Sequence, residues 1–198
     1  KIVLSLATIS FLASYANATS GTTDSCPTSS SARSGSSSTT DSKTISTDCT
    51  VQNGGLTLSN SGTSTLTITG GGTLQAPNYS SQPNNYAISL KGSNGNTPTL
   101  NLINQGTIKG KIGIENQSSF SGTITVRTFE NKKTIDGHIY MGIWQGNGGT
   151  ISIETFNNEG TITMPNNGDS NGVIYFEGTT HIKTFKNTGT IEAPQGQN

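Results

Sequence analysis

T-F-K-N-T-G-T-I at 184–191 is nearly a copy of two earlier strings, T-F-E-N-K-K-T-I at 128–135 and T-F-N-N-E-G-T-I at 155–162. A weaker copy, N-L-I-N-Q-G-T-I, occupies 101–108, and a degenerate one, I-T-G-G-G-T-L, occupies 68–74. Aligned on their shared asparagine, the copies place Asn104, Asn131, Asn158 and Asn187 at intervals of 27, 27 and 29 residues, with Gly70 in that position in the first copy. Two residues earlier stand Leu102, Phe129, Phe156 and Phe185, and four residues later Ile108, Ile135, Ile162 and Ile191. A repeat of 20–50 residues marks a solenoid or propeller. Propeller blades need about 40 residues and four strands, and no leucine ladder exists to support a leucine-rich repeat.

Upstream of each copy the chain alternates apolar and polar residues, as in G-T-I-T-V-R at 122–127 and G-T-I-S-I-E at 149–154, the period of a strand with one buried face. A third apolar run recurs as Ile112 with Ile114, Ile139 with Met141, and Val173 with Tyr175. Three short strands in 27 residues fit one turn of a parallel β-helix. The all-β fold expected is therefore a three-sided solenoid of about five coils over roughly 50–193. Equivalent residues stack about 4.8 Å apart, so the Phe and Ile positions form inward columns. The Asn column is expected at a corner, where Asn tolerates left-handed φ and identical amides can bond along the axis.

The composition agrees with this architecture. Charged residues make up 11 % and hydrophobic residues 29 % of the 198-residue chain, well under the averages of about 25 % and 45–50 %, so a thick globular core is excluded. Lys plus Arg equals Asp plus Glu, 11 each, which leaves no net field to draw nucleic acid or anionic lipid.

The opening K-I-V-L-S-L-A-T-I-S-F-L-A-S-Y-A-N-A has a positive start, an apolar stretch from Ile2 to Ala13 and the small pair Ala16 and Ala18. It reads as a secretory signal over 1–18, cleaved after Ala18. From Thr19 to Asp48, 19 of 30 residues are Ser or Thr and only Ile45 is a sizeable apolar residue, so 19–49 reads as a flexible segment. The two cysteines, Cys26 and Cys49, bracket it. In an oxidising compartment they are expected to form one disulfide, worth about 3.5 kcal/mol at most by loop closure; two free thiols are the alternative.

The signal, the Ser/Thr-rich beginning and coils reading x-F-x-N-x-G-T-I resemble the passenger segment of autotransporters, the type V secreted proteins of Gram-negative bacteria. The resemblance covers roughly 1–18 and 50–193. It implies a right-handed β-helix passenger (50–198) at the cell surface or released from it, and an outer-membrane β-barrel in the full-length protein. The alternating ten-residue strands of such a barrel are absent from this sequence.

Candidate chemistry is sparse. G-D-S-N-G at 168–172 is similar to serine-hydrolase strings, with Ser170 as nucleophile and His138 and Asp136 as partners. Asn171 departs from those motifs, and the string lies in the Pro/Asn/Gly run M-P-N-N-G-D-S-N-G, a turn on composition. His138 and His181 are 43 residues apart, which does not make a metal pair, so no catalytic residue, cofactor or metal is expected. Strand parity gives the one candidate binding site. With Ile139, Met141 and Ile143 inward, Tyr140 and Trp144 point outward; with Val173 and Tyr175 inward, Ile174 and Phe176 join them in a lateral apolar patch. Exposed patches of this kind mark interaction sites, here for a host-cell surface or matrix component. The competing reading is a structural stalk that presents a distal domain.

Overall fold

The computed structural model describes residues 41–58, 61–93, 96–116, 120–143, 148–165 and 172–193. The signal at 1–18, Cys26, Trp144 and Ser170 lie outside them.

The described chain is a parallel β-helix of about five turns, with no helical element. Its first coil holds β1 (Asp41–Ile45), β2 (Asp48–Thr50) and β3 (Leu56–Thr57), and its second β4 (Thr63–Ile68), β5 (Thr73–Gln75) and β6 (Tyr86–Gly92). The third comprises β7 (Thr99–Asn104), β8 (Thr107–Lys109) and β9 (Lys111–Asn116); the fourth β10 (Thr123–Asn131), β11 (Thr134–Asp136) and β12 (Ile139–Gly142). The fifth has β13 (Thr150–Asn158), β14 (Thr161–Thr163) and β15 (Ile174–Glu177), and β16 (Thr180–Ile182), β17 (Phe185–Asn187) and β18 (Thr190–Glu192) begin a sixth. Corresponding strands pair in parallel as three sheets: β1-β4-β7-β10-β13-β16 with β17 also on β13, β2-β5-β8-β11-β14-β18, and β3-β6-β9-β12-β15.

The register confirms the expected columns. Leu66, Leu102, Phe129, Phe156 and Phe185 align across β4, β7, β10, β13 and β17. Phe129 stacks on Phe156 at 4.5 Å between ring centroids, and Phe156 on Phe185 at 4.9 Å. Leu74, Ile108, Ile135, Ile162 and Ile191 form the aliphatic column of the second sheet. On the outer side of that sheet, Thr73, Thr107, Thr134, Thr161 and Thr190 make an unbroken threonine column. The alternation G-T-I thus resolves into Thr outward and Ile inward, a pairing in which β-branched residues stack well on both faces.

The recurrent asparagines form a buried ladder. Asn104 Nδ2 donates to Asn131 Oδ1, Asn131 Nδ2 to Asn158 Oδ1 and Asn158 Nδ2 to Asn187 Oδ1, each at 2.7 Å. Each nitrogen also donates to the carbonyl of Thr134, Thr161 or Thr190 in the next coil. Asn104, Asn131 and Asn158 are fully buried, so these bonds are a requirement of burial as much as a contribution to stability.

Three expectations are corrected. The Asn residues do not turn the corner through left-handed φ: Asn78 is the one described non-glycine residue with positive φ, so the side-chain amide, not backbone permissiveness, selects Asn. In the first copy the ladder position is filled by Ile68, which aligns with Asn104, and not by Gly70. The turn from Ile68 to Thr73 is two residues longer than that from Asn104 to Thr107, which shifts an alignment anchored on Thr73. Finally, strand pairing starts at Asp41, so 41–49 belongs to the first coil and the solenoid begins ahead of residue 50. Ile45 aligns with Ile68 and Cys49 with Leu74, and both are buried. One apolar side chain per strand suffices once a coil above supplies the other wall. Cys49 is disulfide-bonded.

Phe156→Ala should cost about 3–5 kcal/mol, because it removes a fully buried ring between two stacked neighbours and leaves a cavity. Phe185→Ala should cost markedly less, since Phe185 is 49 % exposed. Asn131→Leu should cost about 3 kcal/mol or more, because it leaves an amide donor on Asn104 and an acceptor on Asn158 buried without partners. Urea denaturation of the three variants gives this ranking directly.

Candidate functional site

The residues of the third sheet carry the most varied outward chemistry. Its inward rows are Ile88, Ile112, Ile139 and Ile174, then Leu90, Ile114, Met141 and Phe176. The outward row between them is Ser89, Gly113, Tyr140 and Tyr175, followed by Lys91, Glu115, Gly142 and Glu177. Tyr86 aligns with Lys111 at the edge of the same face.

This register corrects half of the sequence-derived patch. Ile174 and Phe176 align with Ile139 and Met141 and pack on the core, while Tyr175 faces outward beside Tyr140. The segment Val173-Ile174-Tyr175-Phe176 contains no polar residue, so alternation cannot set its phase; pairing with β12 does. Tyr140 does lie on the outer face, yet only 7 % of it is exposed. Trp144 lies outside the described residues.

What covers Tyr140 is a set of contacts between coils. Tyr86 Oη donates to Glu115 Oε1 at 2.5 Å, and Tyr140 Oη donates to Glu177 Oε2 at 2.5 Å. Each tyrosine therefore reaches a carboxylate one coil on. The two glycines in these rows make the reach possible. A Cβ on Gly113 would lie 2.3 Å from the Tyr86 ring, and one on Gly142 would lie 2.3 Å from the Tyr140 phenol. Between the two clasps, Lys111 Nζ sits 4.9 Å from the Tyr86 ring centroid and 4.5 Å from that of Tyr140, a cation held between two aromatic faces. Tyr140 then stacks on Tyr175 at 5.8 Å, and Lys91 approaches Tyr86 at 5.9 Å from the rim. Tyr–Glu, Lys–Tyr and Tyr–Tyr contacts thus tie coils two to five along one face.

His138 closes one end of this face. It is 1 % exposed, and its Nδ1 lies 2.5 Å from the carbonyl of Gly172; a carbonyl only accepts, so this nitrogen carries the proton. Its ring stands 6.2 Å from that of Tyr140. Asp136 faces Thr163, whose hydroxyl donates to it at 3.4 Å, and it neighbours Tyr79. Burial, and then Asp136, push the Tyr79 phenol upward. His138 and Asp136 thus serve contacts with Gly172 and with Thr163 and Tyr79. His181 lies at the exposed start of the last coil. Among the described residues no group of three His, Cys, Asp or Glu is placed to hold a metal ion.

Tyr86, Lys111, Glu115, Tyr175 and Glu177 are missing from the sequence-derived site. For Glu115, Tyr175 and Glu177 a signal exists: I-G-I-E at 112–115, I-Y-M-G at 139–142 and I-Y-F-E at 174–177 align without a gap, which fixes both parity and the carboxylate row; Tyr86 and Lys111 lie outside these strings.

Burial, followed by the hydrogen bond to Glu177, raises the Tyr140 phenol above its ordinary value. A phenol whose pKa is higher in the folded than in the unfolded chain contributes stability that is full below the unfolded value of about 10 and is lost as pH rises beyond it. The melting temperature should therefore fall above about pH 10. Tyr140→Phe should flatten that fall while leaving the profile between neutrality and that point unchanged in shape; thermal melts across the alkaline range test this.

Comparison with protein-family models, with curated proteins and with solved structures finds no match to this chain.

Proposed function

We propose that the chain is part of an autotransporter passenger, exported to the cell surface or released there, which attaches to host cells or matrix through the outer face of its third sheet. The role is binding, without a catalytic step. The observation that supports it is the placement of aromatics. Of the five tyrosines in the chain, Tyr86, Tyr140 and Tyr175 share this face, with Lys91, Lys111, Glu115 and Glu177 among them. Tyrosine is enriched at interaction surfaces, and a rigid sheet holds these rings at fixed spacing. The export signal and the coil pattern read from the sequence support the cellular setting.

A second reading, a stalk without a lateral ligand, is favoured by one observation: the Tyr86 and Tyr140 hydroxyls are already engaged by Glu115 and Glu177. The two readings separate at the rim. Lys91→Ser with Tyr175→Ser removes an exposed cation and the outermost ring while leaving both Tyr–Glu clasps in place. Attachment of the purified chain to cultured cells or immobilised matrix should drop at least about fivefold, the loss expected from a contact worth about 1 kcal/mol, with the β-type circular dichroism intact. Unchanged attachment by the folded variant, or no attachment by either protein, selects the stalk.

A further inference from the structure

Tyr140 and Tyr175 hold one register position on the neighbouring strands β12 and β15, and their rings stack with centroids 5.8 Å apart and planes 22° from parallel. Tyr140 is buried beneath its neighbours, whereas Tyr175 is only half-buried on the outer side. The Tyr140 ring leans along its own strand over Gly142, where a Cβ would lie 2.3 Å from the phenol oxygen. It thereby reaches Glu177, the residue paired with Gly142. Its Oη donates to Glu177 Oε2 at 2.5 Å, the short end of the range for a hydroxyl on an anionic acceptor.

This arrangement selects how Tyr140 loses an electron. Removing the electron alone would leave a cationic ring, and the Lys111 ammonium, 4.5 Å from the ring centroid, opposes that: a face that attracts a cation repels it once oxidised. Burial and the bond to Glu177 also raise the phenol above its ordinary pKa, which disfavours losing the proton first. The route that remains is loss of electron and proton together, and Glu177 stands where the proton must go. We propose that Tyr140 and Glu177 form a proton-coupled redox pair, and that with Tyr175 they are a site of oxidative tyrosine cross-linking by one-electron oxidants, such as a ferryl haem or a photo-oxidised metal complex. The oxidant takes one electron from Tyr140 as its Oη proton passes to Glu177 Oε2, leaving a neutral phenoxyl ring and a carboxylic acid that donates back to it. A second oxidising equivalent takes one electron from Tyr175, whose hydroxyl proton goes to water. The two phenoxyl rings join through a carbon ortho to each oxygen, and the hydrogens on those carbons move to the oxygens as aromaticity returns. Glu177 then releases its proton to water. The sum is two electrons to the oxidant, two protons to water and one carbon–carbon bond between coils four and five.

The test irradiates the purified chain at neutral pH with a ruthenium tris-bipyridyl complex and persulfate. Dityrosine fluorescence should rise in the monomer, and peptide mapping should find Tyr140 and Tyr175 in one linked product that lacks two hydrogens. Tyr175→Phe should abolish that link. Glu177→Gln keeps a hydrogen-bond acceptor but removes the base, so it should lower the initial yield at least about tenfold with the circular dichroism intact. Gly142→Ala keeps both groups but parts them, and should act in the same direction. Wild-type chain unfolded in urea, a control that relies on no variant folding, should lose the preference for this pair over other tyrosines. Absence of the link, an equal yield from folded Glu177→Gln, or the same preference in urea overturns the inference. A link between molecules that grows with protein concentration, in place of the one within the chain, also overturns it.

Discussion

Everything in this fold depends on one constraint: a side chain in a parallel β-helix has its own counterpart about 4.8 Å above and below it. A residue is therefore suitable at a position only if it stacks well on copies of itself or on a near equivalent. Phenylalanine meets the condition through ring faces, isoleucine and threonine through branched methyl groups. Asparagine meets it because one amide carries a donor and an acceptor pointing in opposite directions. The ladder from Asn104 to Asn187 uses that polarity in a single sense, every Nδ2 donating toward the later coil. Below Asn104 the column becomes Ile68, and Asn104 Oδ1 accepts instead from the Gly106 amide of its own turn. A buried polar column can thus begin on an apolar neighbour, provided its first acceptor finds a local donor.

The same constraint explains why so few apolar residues hold the fold. Each full coil contributes one inward side chain to the second sheet, two to the third and up to four to the first, and the adjoining coils supply the remaining walls. Hence the segment around Ile45, whose composition argues for disorder, still forms paired strands. The entropy argument counts the apolar groups a segment brings. It omits what a preformed edge offers. Long-range pairing of this kind is local in space and regular in sequence, so each added coil meets nearly the same interface as the last.

The fold was legible in the sequence because stacking forces like residues to recur, and recurrence is visible. The lateral face was less so. On the inward side, repetition is compulsory; the outer side of the second sheet still repeats threonine, but on the outer face of the third sheet Tyr, Gly, Lys and Glu follow one another without a period. By sequence alone Tyr175 reads as inward and Phe176 as outward, because four consecutive apolar residues carry no phase, and because the corner between Thr163 and Ile174 is long where that between Asp136 and Ile139 is short. The segment from Glu177 to Thr180 is correspondingly shorter than that from Gly142 to Thr150, so the net interval hides two opposed changes. The glycine positions are intelligible only after the fold is known. Gly113 and Gly142 mark space used by a tyrosine from a neighbouring position, and nothing in a lone glycine announces that.

The one-way amide ladder also bears on how the molecule would respond to tension. Its bonds, like those between strands, run along the solenoid axis, so a force applied between the two ends loads them one coil at a time instead of all together in shear. Peeling a coil between successive asparagines frees the 27 residues from Asn104 to Asn131, a contour of about 90 Å at full extension. A rod of this kind is stiff when compressed or bent but yields to traction in discrete lengths, lengthening many times over before its last rung is lost.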